Sequence, residues 1–193
     1  MIDFHDKSVE NVINLMHERI KESSDRSNEE VLLLSWLYHH YEEQRTQDWL
    51  TNKKITLTSS KQNNIAHEKN INNFDFILSD GLILIAVTGA YCPFLIDEYF
   101  SNLYINPKSI EEALHNAICL VTSWTKIRLG FMITPSQIVH PNSVQMLMLV
   151  VHLFETLPSY LPRLKRIYFY AVLHMAHNLV LIKLIYWKVT LTT

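Results

Sequence analysis

NNFDFILSDGLILIAVTGAYCPFL, residues 72–95, is the segment around which the chain is organised. Residues 81–96 carry no charge and are apolar at nearly every position. Asp80-Gly81 opens this run, and Tyr91-Cys92-Pro93 punctuates it near its end. The run is shorter than the ~20 residues a helix needs to cross a bilayer. It therefore reads as a helix buried on nearly all sides, the centre of a compact all-α domain. Asp80 or Ser79 offers a side-chain oxygen to its first N–H groups. Pro93 lacks an N–H and stops it.

Upstream, Ser27-x-x-Glu30 is a capping box ahead of an apolar run. Residues 31–41 then bring Leu33, Leu34, Trp36, Leu37 and Tyr41 at helical spacing, with Trp36 in the core. Residues 8–22 form a second amphipathic pattern, with Val9, Val12, Ile13, Met16 and Ile20 on one face. Between these helices and the central run, residues 45–73 are rich in Asn, Gln, Lys, Ser and Thr. Their apolar residues (Trp49, Leu50, Ile55, Leu57, Ile65) stand isolated, which predicts a surface excursion with no core-forming face and one short helix near 46–51.

Downstream, residues 97–104 suggest a short helix. Asn106-Pro107 reads as cap and first helical residue, with Ser109-x-x-Glu112 as a capping box, and the helix runs to about Lys126. Ile110, Leu114, Ala117, Ile118, Val121 and Trp124 are its expected buried face. Thr134-Pro135 opens a short helical piece after Gly130. Pro141-Asn142-Ser143-Val144 starts a last helix through Leu157, lined by Val144, Leu147, Met148, Val151 and Phe154, with Leu149, Val150 and Leu153 filling much of the rest. Pro158 and Pro162 end the domain. Residues 159–193 are rich in β-branched and aromatic residues and fit strand or helix. Lys183 and Lys188 interrupt them, which disfavours a membrane span.

The 193 residues allow one domain with extensions, or two very small ones. Three glycines are too few for a glycine-rich phosphate loop, and neither G-x-G-x-x-G nor G-x-S-x-G can be written. The opening MIDFHDKSVEN lacks an apolar leader core. Cys92 and Cys119 sit in apolar surroundings and read as reduced, buried thiols in an intracellular setting sooner than as a disulfide. Charge is uneven: residues 1–26 carry net −2, 27–158 net −5 and 159–193 net +5. The acidic middle disfavours nucleic acid as a partner held by charge.

No motif argues for an enzyme or a cofactor. His39-His40 are adjacent and diverge by about 100° on a helix, and His174-x-x-His177 lacks further ligands nearby. His115 and His152 read as core or boundary histidines. The acidic pairs Glu42-Glu43, Asp97-Glu98 and Glu111-Glu112 each lie at a helix end and diverge on a helix; Glu111 and Glu112 sit in a first turn, where acids favour the helix dipole.

The order of these signals resembles a family. Leu33-x-x-Trp36-Leu37, Asn73-Phe74, Leu78-Ser79-Asp80-Gly81-Leu82-Ile83-Leu84, Tyr91-x-Pro93, Ala113-x-x-x-Ala117 and Ile133-Thr134-Pro135-Ser136-Gln137-Ile138-Val139 follow one another as in a calponin-homology domain, over residues 27–158. In that family the tryptophan packs in the core, the Asp-Gly step starts the central helix and the proline-led turn positions the last one. Residues 90–95 and 142–149 resemble in particular the divergent domain of this kind in a large cilia- and flagella-associated protein, where it lies among hydin-like immunoglobulin-like domains. Leu157-Pro158, Tyr160-Leu161-Pro162, Ile167-x-Phe169 and Leu173-His174 resemble the start of such an immunoglobulin-like domain, so residues 159–193 form a truncated β-prone tail.

The resemblance implies a division into an N-terminal amphipathic helix (1–26), a calponin-homology domain with a long polar insertion at 45–73 (27–158), and the tail (159–193). It implies a non-catalytic scaffolding module of the ciliary or flagellar axoneme, serving cilium assembly or motility, with axonemal or cytoskeletal proteins as partners. The alternative is direct binding to microtubules or actin. The insertion departs from ordinary members by its length, and its Lys53, Lys54, Lys61 and Lys69 form a candidate partner surface against the plainer reading of a solvated loop.

Overall fold

The computed structural model describes residues 27–51 and 65–161, all helical or irregular, with no strand among them. The expected helix at 8–22, Lys53, Lys54, Lys61 and the β-prone tail beyond Leu161 lie outside the described residues.

The first helix, α1, spans Asn28–Arg45. Its start is the expected capping box: Ser27 Oγ accepts the Glu30 N–H at 3.2 Å, and the Glu30 carboxylate accepts the Ser27 N–H at 3.3 Å. It runs a turn past the expected end, where Arg45 pairs with Glu42 at 2.7 Å.

Helix α2, Leu82–Tyr91, is the quoted apolar run, and every residue in it except Ala90 is buried. Asp80 caps it, its Oδ1 accepting the Leu82 N–H at 3.0 Å, while the Ser79 hydroxyl donates to the Phe76 carbonyl instead. Gly81 stands at φ +75, the left-handed region, so any side chain there would be strained. Pro93 ends the helix in a 3-10 turn, Pro93–Leu95, that leads into the short α3, Ile96–Tyr99. The chain bends by 116° between Leu82–Tyr91 and Pro93–Tyr99, and no single helix of the described residues is long and apolar enough to cross a membrane.

Helix α4 spans Ile110–Lys126, α5 Pro135–Val139 and α6 Ser143–Thr156, closed by a 3-10 turn at Leu157–Tyr160. α5 opens at Thr134-Pro135 as expected, with a Thr134–Gln137 capping box, and Asn142 Oδ1 accepts the N–H groups of Val144 and Gln145 to cap α6. α1 packs on α2, α4 on α5, and α6 touches α1. Trp124 on α4 donates its indole N–H to Thr88 Oγ1 (3.0 Å), and Thr88 donates on to the Leu84 carbonyl (2.7 Å). Both polar groups are thereby satisfied where no water reaches them.

Four expectations need correction. The cap of α4 is Ser109, not Asn106, and Pro107 lies outside the helix. Asn106 is spent elsewhere, accepting the His67 N–H and donating to the Ile65 carbonyl. Second, α4 is rotated from its apolar reading: it buries Ala113, Asn116, Ala117, Leu120, Ser123 and Trp124, while Ile110 and Ile118 are exposed. Asn116 wins an inward place because its amide accepts the Tyr104 N–H and donates to the Tyr104 and Asp80 carbonyls. Third, α6 buries Met146, Leu149, Val150 and Leu153, leaving Val144, Met148 and Val151 exposed. Both sides of this helix are apolar, so periodicity alone does not choose the inner one.

Fourth, the polar excursion does supply core residues. Leu50 and Ile71 are fully buried, Ala66 nearly so, and Trp49 stacks on Phe100 with ring centres 6.1 Å apart. Each buried aliphatic side chain of this size stabilises by roughly 1.5–3 kcal/mol, enough to clip the two ends of the excursion to the domain. The expected short helix is a 3-10 turn at Asp48–Leu50, and Thr51 bridges to Ile65.

Candidate functional site

Of the four lysines in the candidate surface, Lys69 alone lies among the described residues. Its ammonium pairs with the Asp80 carboxylate and stands 5.9 Å from the centre of the Tyr41 ring. Its side chain is 14% exposed. Lys69 therefore ties the excursion to the start of α2. Tyr41 adds to this tie by donating its hydroxyl to the His67 carbonyl at 2.5 Å.

The surface that faces water is apolar in two helical stripes. On α4, Ile110 (59% exposed) and Ile118 (49%) are joined by half-buried Leu114 and Val121, at spacings of four and three. On α6, Val144, Met148 and Val151 repeat the pattern, with Met148 60% exposed. Met132, in the connection between α4 and α5, is 93% exposed. Contiguous exposed apolar side chains of this kind mark protein contact surfaces more often than isolated ones do. The sequence pattern places the residues of the two stripes inside.

A buried polar cluster lies between α1 and the end of α2. Trp36 donates its indole N–H to the Tyr91 hydroxyl oxygen at 2.9 Å, and His40 Nε2 lies 2.9 Å from the same oxygen. The rings pack edge to face: Trp36 against Phe154 (5.2 Å) and His40 against Tyr91 (4.9 Å). Burial first, and His39 second, lowers the His40 pKa to about 3, so the imidazole is neutral. Burial likewise raises the Tyr91 hydroxyl above its ordinary range.

One turn on, Glu43 reaches both histidines. Its Oε2 is 3.8 Å from His39 Nε2 and 3.9 Å from His40 Nδ1. The pairwise objection to His39-His40 as co-ligands does not cover this case. Glu43 is four residues from one histidine and three from the other, and both spacings share a helix face. The signal was present in the sequence as His39-His40-x-x-Glu43 and was missed because only the histidines were compared.

His115 and His152 behave as boundary histidines, with ring nitrogens 2.9 Å from the Asn102 carbonyl and 2.6 Å from the Leu129 carbonyl. Glu112 serves the start of α4 by accepting the Lys108 N–H at 2.6 Å. Cys92 and Cys119 are free thiols, and burial pushes Cys92 up to about 12.

Comparison with known proteins finds relatives that match most of the chain. Over 137 residues, 71% of this chain, it is 43% identical to cilia and flagella-associated protein 47 of Mus musculus. Over 148 residues, 77% of the chain, it is 42% identical to the Homo sapiens protein of that name. The matches span 4% of the length of each relative, so this chain is related to one short segment of a much larger protein. No family model matches the sequence, and no solved structure matches it.

Proposed function

We propose, starting from that kinship, that the chain is a non-catalytic protein-interaction module of the cilium or flagellum. The observation that carries this reading is the 43% identity over 71% of the chain to a protein named for its association with cilia and flagella. The module is of calponin-homology type: Trp36 in the core, the Asp80-Gly81 step opening a helix buried at every residue but Ala90 and the Thr134-Pro135 turn before the last helix support that assignment. Its role is axonemal scaffolding, and the apolar stripes on α4 and α6 are the surfaces offered to protein partners.

The full chain, tagged and expressed in ciliated cells, is expected along the axoneme. Met148→Lys, at an exposed position, should leave the thermal melt unchanged and reduce that localisation. A diffuse cytoplasmic signal for the unaltered chain would sink the ciliary reading. Co-sedimentation with microtubules and with F-actin addresses direct filament binding. The net charge of −5 over residues 27–158 opposes attachment to acidic filament surfaces, so no saturable pelleting is expected. Saturable pelleting at micromolar concentration would replace scaffolding by filament binding.

A further inference from the structure

We propose that His39, His40 and Glu43 form a surface-edge binding site for one divalent zinc ion. One ring nitrogen of His39, one of His40 and a Glu43 carboxylate oxygen lie within 4.8 Å of one another on one turn of α1. Three donors around one zinc at ~2.1 Å sit roughly 3.4 Å apart, so the observed 3.8 and 3.9 Å separations close onto an ion by sub-ångström side-chain movement.

A second observation singles out this turn. His40 Nδ1 is buried and has no hydrogen-bond partner. Its other nitrogen settles which form that atom takes. The Tyr91 oxygen accepts the Trp36 N–H and has a second lone pair for His40 Nε2–H. With the proton on Nε2, Nδ1 presents a lone pair towards Glu43. In the opposite tautomer the Nδ1–H would face the Glu43 carboxylate oxygen only at 3.9 Å, beyond hydrogen-bond distance, and a buried unpaired N–H is the rarer and costlier defect. A lone pair and a carboxylate oxygen facing each other in a partly dry setting attract a cation between them. Tyr91 is then the outer-shell group that orients the ligating imidazole, as such partners do at metal sites.

The donor set selects the ion. Two imidazoles and one carboxylate suit borderline metals such as zinc, whereas magnesium and calcium take oxygen ligands. Glu43 is 47% exposed, so a fourth position opens to water on its side.

The test is calorimetric titration of zinc chloride into the metal-free full chain, beside its Glu43→Gln and His39→Asn variants. The chain has ten histidines, so stoichiometry alone is not diagnostic. One binding event that each variant weakens by about 10-fold or more is expected. Circular dichroism melts in chelator check that the variants fold. His40 is left unaltered because it packs against Trp36 and Tyr91, and ¹⁵N NMR of its ring is the second measurement. Zinc should shift Nδ1 of His40 strongly and Nε2 little, and magnesium should shift neither. Zinc binding that is equal in the wild type and both variants, absence of zinc binding, or an unshifted His40 Nδ1 would each overturn the assignment.

Discussion

Gly89 shows two local effects pulling in opposite directions. It lies inside α2, where alanine is favoured over glycine by about 1 kcal/mol on helix propensity. A Cβ there would meet the Trp49 ring carbons at 2.8 Å. That ring cannot easily retreat, since it stacks on Phe100 and donates its N–H to Gln44 at 3.2 Å. Overpacking costs about 1–3 kcal/mol, so the clash outweighs propensity. Gly89→Ala should lower stability by about 1–2 kcal/mol in urea unfolding. In a Trp49→Leu background the same change should become neutral or stabilising. An unconditional gain on Gly89→Ala would show that the ring yields freely.

Helices α4 and α6 show that hydrophobicity alone does not orient an element. On α4 a fully buried asparagine, Asn116, lies two residues from an exposed isoleucine, Ile118. The asparagine holds the loop before α4 by both polar atoms of Tyr104 and reaches the carbonyl of Asp80. Asn116→Ala leaves these groups unpaired in a dry setting and should cost about 2–4 kcal/mol. Ile118→Ser, against every transfer scale, should cost under about 1 kcal/mol because the side chain already meets water. Comparing the two denaturation midpoints checks the ranking; the reverse order would return α4 to its apolar face.

Across the molecule, Asp80 joins three parts that are distant in sequence. One carboxylate oxygen caps α2, the other pairs with Lys69 of the polar excursion, and the backbone carbonyl accepts from Asn116 of α4. Asp80→Asn preserves a capping acceptor, since Asn caps about as well as Asp, but removes the counter-charge of Lys69. The pair is largely but not wholly buried, at 14% and 19% exposure, so solvent screens part of the loss. A destabilisation of about 1–3 kcal/mol is expected. Adding Lys69→Met should recover much of it by removing the stranded charge. If the single and double variants unfold at the same denaturant concentration, the pair contributes orientation and not stability.

The features legible in the chain alone were those that close within a few residues. The caps at Ser27 and Thr134 are bonds between groups three positions apart, and Pro93 lacks its donor wherever it is placed. The burial of 82–91 was legible for another reason: a helix apolar all round has no face it can give to water. Tertiary contacts settled what depends on distant partners. They chose the inner side of α4 and α6, drew Asn106 away from a cap to hold residues 65–67, and turned Leu50 and Ile71 of a polar stretch into anchors. They also set Tyr91 behind His40, leaving its second nitrogen facing Glu43. Backbone periodicity is a property of one helix; the choice of its buried face is a property of the pair that packs, and is made where partners satisfy its polar groups.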